Sequence, residues 1–329
     1  MLEFKINEID VDLIYAQIPF QNIPKNFDIL NNEIISKNKE KRSIYGLAYL
    51  RSLLKIVEIT QNKDLFVSLM RILKIWLKNR LIYSNIAGYL SGASLAVMSA
   101  KICQIYPNAT LTFALKQFFI IYRLWGWPQP LLIQKLDDTN NEFKNTLEFV
   151  EPWNLKKEIS EIDNDSEDSN DEIEEENDKL EGNNGNIMSV IMPGFPEQNT
   201  TYNVNKFTFK IINKEIKRAY KILQKMNYND EKNIQLILNE LIEKINWETS
   251  YEHFILILCK NEEKNYCDKQ KVFLRTYLYN WENDKNNLIK ESHYLINVEK
   301  DVYCNFENKS DSLIICKLWI IGINLNSEM

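Results

Sequence analysis

Glycine and proline are scarce, with eight of each in 329 residues. That is too few for a fibrous chain or a turn-dominated all-β protein. Histidine is scarcer still, at His253 and His293 only, and the five cysteines (Cys103, Cys259, Cys267, Cys304 and Cys316) form no C-x-x-C pair. A structural zinc site needs four such ligands, so none is expected, and the thiols read as free and mostly buried in a reducing compartment. No apolar run reaches the roughly 18 residues of a membrane span, so no membrane partner is expected. The opening MLEFKINEIDVDLIYA has no basic stretch leading into an apolar core, so it does not read as a secretory leader.

What remains is ample core material: 45% of residues are hydrophobic and 12% aromatic. The length suggests two domains or slightly more. The net charge of -6 is unevenly spread: between Glu158 and Glu181 stand 13 acidic residues and one basic residue, Lys179. That segment carries -12 and leaves +6 on the rest, a balance that suits a polyanionic partner.

Periodicity gives an α+β chain. Residues 4–18 read as a strand, with Ile9, Val11 and Leu13 on one face and Asp10 and Asp12 on the other. Residues 43–59 and 64–82 read as amphipathic helices, the second with an inward stripe of Leu65, Leu69, Ile72, Trp76 and Leu77. Asn85 to Tyr106 is a small-residue segment with Gly88 and Gly92 four apart. A helix is expected at 110–125, stopped by Pro128 and Pro130. Residues 137–186 are polar, acidic and poor in large hydrophobes after Trp153, and are expected to be disordered or a surface loop. Helices follow at 206–226 and 230–246, a strand at 253–259, a helix at 268–282, and strands near 293–298, 301–306 and 313–323. That order suggests a small sandwich of ferredoxin-like type.

Four places could carry chemistry. Asp10 and Asp12 on one strand face could hold Mg²⁺, or be a solvated face. Lys74, rising from RILKIW, could present a point charge to a triphosphate, or snorkel at the edge of a buried face. In IYSN, Tyr83 could pack on a base or ribose and Asn85 could bond a base edge, or Ser84 and Asn85 could cap the next helix. QNTTYNV (198–204), with Tyr202 and Asn203, precedes a helix bearing Lys210, Lys214, Lys217 and Arg218. It could contact a nucleic-acid strand, or be a cap and a solvated face.

Taken in order, EIDVDLIYAQIPFQNIPKNFDI, RSIYG, LMRILKIWLKNRLIYSNIAGYLSGAS, CQIYPNA, WGWPQP and MPGFPEQNTTYNV resemble the eukaryotic nuclear poly(A) polymerases over most of residues 8–204. The C-terminal part, closing on KLWIIGINL, resembles that family's RNA-binding domain more loosely. The resemblance implies template-independent addition of AMP from ATP to the 3′ end of mRNA, with Mg²⁺ or Mn²⁺, in the nucleus. The RNA 3′ end and ATP would be its partners, together with the cleavage and polyadenylation complex. It implies three parts. Residues 1–40 would be the end of a polymerase-β-like nucleotidyltransferase sheet. Residues 41–204 would be a helical, nucleotide-binding middle domain with an acidic insert at about 155–186. Residues 205–329 would be a ferredoxin-like RNA-binding domain.

By the same resemblance Asp12 matches the third metal-binding aspartate, and Asp10 a more variable position. Lys74 and Tyr83 match nucleotide contacts, Asn85 a nearby asparagine, Gly92 and Ala93 the glycine-turn contact, and Asn203, beside Tyr202, an RNA contact. The family's first two aspartates, which follow a Gly-Ser turn, have no match here, so an N-terminally truncated and weakly active or inactive chain is expected. The alternative is an inactive relative that binds RNA or a processing complex. Differences from the usual family pattern fall at Tyr45, Ser91, Ala93 and Met192.

Overall fold

The computed structural model describes residues 2–7, 9–23, 25–136, 153, 187–261, 281, 288–295, 301–303 and 315–326. The chain opens with an antiparallel hairpin of β1 (Leu2–Ile6) and β2 (Ile9–Leu13). The single strand expected over 4–18 is therefore two short strands. The chain reverses at Asn7, whose φ of 47° is left-handed, a conformation that asparagine tolerates better than most residues. In the ladder Asp12 faces Glu3 and Asp10 faces Lys5.

Among the described residues, seven helices follow before the second sheet: α1 (Asn32–Ser36), α2 (Lys41–Ile59), α3 (Lys63–Asn79), α4 (Gly92–Ile105), α5 (Leu111–Leu124), α6 (Lys206–Leu223) and α7 (Glu231–Leu241). A single turn, α8 (Trp247–Ser250), leads into that sheet. The caps explain where the long helices start. The Asn62 side chain accepts from Leu65 N–H on α3, and the Ser91/Ser94 and Asn205/Thr208 pairs form reciprocal capping boxes on α4 and α6. Each such cap contributes about 1 kcal/mol. The small-residue segment from Asn85 thus divides into a tight loop and a helix that Ser91 starts.

On α3 the buried stripe is Leu65, Leu69, Leu73, Trp76 and Leu77, with Leu73 in the place expected of Ile72, which is only partly buried. Trp76 meets the edge of Phe119 from α5, ring centroids 4.9 Å apart. This core continues without a break through α4, α5 and α6 to Trp319, Ile321 and Ile323 of the C-terminal sheet. A second, small core (Ile34, Ile35, Ile44, Leu47 and Phe195) ties α1 and α2 to the 195 loop.

The C-terminal sheet is antiparallel. β6 (Ile315–Leu325) pairs along one edge with β3 (His253–Asn261), and on the other with β4 (Ile289–Leu295) and the short β5 (Asp301–Tyr303). β3 and β4 are therefore parallel, with β6 inserted between them. The outer edge of β3 takes no strand among the described residues. The acidic insert, and the helix expected at 268–282 apart from Trp281, lie outside the described residues.

Candidate functional site

The end of α3 sets the geometry. Leu81 N–H donates to Lys78 O (3.2 Å) and Ile82 N–H to Leu77 O (2.9 Å), the paired bonds of a Schellman termination. The left-handed residue in that motif is usually glycine; here it is Leu81, with φ 58°. A side chain in that conformation costs about 1–2 kcal/mol, and a neighbour holds it. The His293 ring, carried by β4, lies 3.0 Å through Nε2 from the Leu81 carbonyl, while its Nδ1 bonds the Tyr251 hydroxyl. A carbonyl can only accept, so Nε2 carries the proton and Nδ1 accepts from Tyr251. Burial pulls the His293 value down to about 4, opposed first by the bond to Leu81, so the ring is neutral near pH 7.

Next to this clamp α3 is tied to α6. Arg80 Nε donates to Glu215 Oε2 (2.8 Å) and its second nitrogen to Oε1 (3.0 Å), while Arg218 Nε donates to Oε2 (2.7 Å). Burial alone would raise the Glu215 carboxyl, but its bond to Arg80 and the charge of Arg218 hold it below the usual range.

The turn so fixed delivers Tyr83. Its ring lies under two ammonium groups, Lys74 Nζ at 5.6 Å and Lys78 Nζ at 5.9 Å from the centroid. Lys74 is exposed, as a group that meets a ligand must be. Gly92 opens α4 beneath the phenol: a Cβ there would stand 3.1 Å from the Tyr83 hydroxyl. The first-turn N–H groups at Gly92 and Ala93 lack partners within the helix and favour an anion.

An open groove of about 660 Å³ runs along this end of the fold, lined by Tyr45, Tyr49 and Ser52 of α2, Asn85, Ser91 and Ala93, and Trp153 with the 192–202 loop. That loop is braced internally. Thr200 and Thr201 hydroxyls donate to Val190 O (2.9 Å) and Met188 O (2.6 Å), and Ser52 reaches Pro193 O (2.6 Å). In QNTTYNV both threonine hydroxyls thus brace the loop, and Gln198, Asn199, Thr200 and Tyr202 line the groove. Tyr202 is 61% exposed.

Asn203 is buried, and its Nδ2–H donates to Asn85 O (3.0 Å). Its backbone carbonyl would lie 2.7 Å from a Cβ at Gly88, where φ is 81°, so glycine is required there. Around the groove the buried atoms Asn85 Oδ1, Asn203 Oδ1, Asn199 Nδ2 and Trp153 Nε1 have no hydrogen-bond partner among the described residues. Orphaned groups of this kind need a ligand or water, and here they comprise two acceptors and two donors.

The structure thus brings together Lys74, Tyr83, Asn85, Gly92, Ala93, Tyr202 and Asn203. Asp12 stays on β2 in the N-terminal hairpin. The chain just beyond it touches α2, since a Cβ at Gly46 would meet Ile14 Cγ2 at 3.1 Å and Ala16 Cβ at 3.3 Å. Asp12 offers a hard oxygen donor suited to Mg²⁺ or Mn²⁺, but no three His, Cys, Asp or Glu side chains converge on a metal position among the described residues. Lys78, Trp153, Arg80 and His293 were not flagged by the sequence. Lys78 follows Lys74 at helical spacing, a signal that was available; the others act across long separations.

A helical layer joined to an antiparallel sheet, with an open groove of carboxamides and tyrosines beside a glycine-started helix, defines an α+β chain. The profile of the poly(A) polymerase central domain matches residues 65–240, which run from α3 to α7. Similarity extends to a poly(A) polymerase of Dictyostelium discoideum, 30% identical over 78% of this chain and 27% of the relative. Nuclear poly(A) polymerase 1 of Arabidopsis thaliana is 28% identical over 77% of this chain and 30% of its own length. A poly(A) polymerase of Schizosaccharomyces pombe is 27% identical over 78% of this chain and 39% of its own. The chain belongs to the poly(A) polymerase family, a family of nucleotidyltransferases. It spans between 27% and 39% of the length of these relatives.

Proposed function

We propose that this chain forms the nucleotide- and RNA-binding part of a poly(A) polymerase that adds AMP from ATP to RNA 3′ ends during mRNA polyadenylation in the nucleus. In this reading residues 1–40 end the catalytic sheet, residues 41–204 hold the nucleotide, and residues 205–329 contribute an RNA-binding sheet. The observation that carries it is the meeting of Lys74, Tyr83 and Gly92 next to Ala93, which lines the groove, within the matched region. Lys74 supplies charge to a phosphate, and Tyr83 and the Asn85 amide meet sugar and base. Tyr202 and Asn203 meet the RNA end. Mg²⁺ or Mn²⁺, when held by Asp12 with further carboxylates, would supply charge stabilisation for phosphoryl transfer. The cleavage and polyadenylation complex is the proposed protein partner.

A second reading, an inactive relative that binds RNA or a processing complex, needs only the groove and the exposed lysines of α6. Both readings expect the 329-residue polypeptide to bind ATP and oligo(A) and to extend a labelled oligo(A) primer with ATP and Mn²⁺ little or not at all. Failure to bind either ligand overturns both. Measurable extension by this polypeptide removes the second reading and shows that one matching aspartate suffices.

A further inference from the structure

Resting on the RNA reading above, we infer that the outer face of α6 is a track for single-stranded RNA leading away from the groove. The helix begins at the groove, because Asn205 caps it three residues after the groove-lining Tyr202. Lys210, Lys214, Lys217, Lys221 and Lys225 then recur every three or four residues and are all exposed. At 1.5 Å per residue the helical part of the row, Lys210 to Lys221, is about 16 Å long, room for about three nucleotides of a strand that continues into the groove.

This face carries one sign. Glu215 is the only acid in α6, and it points inward to Arg80 and Arg218. Two members of the row are partly neutralised, Lys214 by Glu291 (3.1 Å) and Lys225 by Glu240 (2.9 Å). Lys210, Lys217 and Lys221 make no ion pair among the described residues. Like charges four apart on a helix destabilise it; a bound polyanion would offset that.

Aromatic rings flank the row on the α5 side. The Arg123 guanidinium stacks 4.0 Å from the centre of the Tyr220 ring, and Lys116 Nζ lies 5.4 Å from that of Tyr228. Tyr228 is 45% exposed, leaving ring surface for a base. Basic residues beside exposed aromatics are what sequence-tolerant single-strand binding requires. An RNA whose 3′ end lies in the groove would have its upstream phosphates over Lys210, Lys217 and Lys221.

The test is fluorescence anisotropy of labelled oligo(A) of 4 and of 15 nucleotides, over a salt series, with the full 329-residue chain. Lys210→Gln/Lys217→Gln/Lys221→Gln should weaken the 15-mer about tenfold at low salt and lower the slope of log affinity on log salt by about 2. It should leave the 4-mer unchanged, and the matching triple arginine variant should restore 15-mer binding. If wild type binds the 15-mer and the Gln variant matches it in affinity and slope, the track is wrong and the groove reading stands. If wild type binds neither RNA, the RNA reading and the track fall together. If polyglutamate binds through these lysines and the 15-mer does not, the face serves an acidic protein instead.

Discussion

At the scale of single residues, the site depends on small geometric allowances. Tyr83 is held between ammonium groups and the helix start at Gly92, where a Cβ would crowd its hydroxyl at 3.1 Å, so its ring is aimed before any ligand arrives. Lys74→Ala removes a charged hydrogen-bond donor, which typically costs about 1.5–3 kcal/mol, or roughly 10- to 100-fold in affinity. Tyr83→Ala should weaken ATP through the sugar or base, with a smaller dependence on salt. Titration of a fluorescent ATP analogue into the 329-residue chain separates the two effects, and unchanged binding by both variants would leave Lys74 as a snorkelling edge residue. Both residues could be read as candidates because the signal is local: a lysine in an apolar helix, a tyrosine just past its end. The pairing of Asn203 with Asn85 was not, since 118 residues separate partners whose spacing follows no helix or strand period.

At the scale of elements, the end of α3 shows why some boundaries stay hidden. A glycine there would have announced the Schellman turn; Leu81 does not, and the compensation comes from His293, 212 residues away. The strand expected over 4–18 failed for a related reason. The alternation of Ile9, Val11 and Leu13 was real, but the reversal at Asn7 has no glycine or proline beside it. The His293 clamp has a pH signature. Its value in the fold, lowered by burial to about 4, lies below the ordinary value near 6.5. Folding therefore favours the neutral ring. Its contribution is complete above about pH 6.5 and is lost as pH falls towards 4, by up to about 3 kcal/mol. Glu215, whose value is also lowered, loses its contribution only at lower pH, below the ordinary carboxylate range. Urea unfolding at pH 7.5, 5.5 and 4.5 should show wild type losing stability across this interval and His293→Gln changing much less. Parallel pH profiles would mean that the ring does not titrate with unfolding.

At the scale of the molecule, one core joins the helical layer to the C-terminal sheet, so the groove, α6 and the sheet are held in a single frame. Charge is what that frame distributes. The sequence outside residues 158–181 carries +6, and those residues carry -12 against a whole-chain value of -6. They enter the sequence between α5 and the loop that supplies Gln198, Asn199 and Tyr202 to the groove. A tethered anion competes with RNA phosphates for the same lysines and arginines by mass action, and its effect is strongest where salt screens least. Removing residues 158–181 should therefore leave the cooperative unfolding transition in place. It should also raise affinity for oligo(A) at low salt and steepen the fall of affinity with salt, because more phosphate contacts then form in place of internal ones. Circular dichroism and anisotropy of both chains across a salt series read the two quantities separately. Equal affinity and slope would make the segment an inert linker. A lost unfolding transition would show that the core needs it.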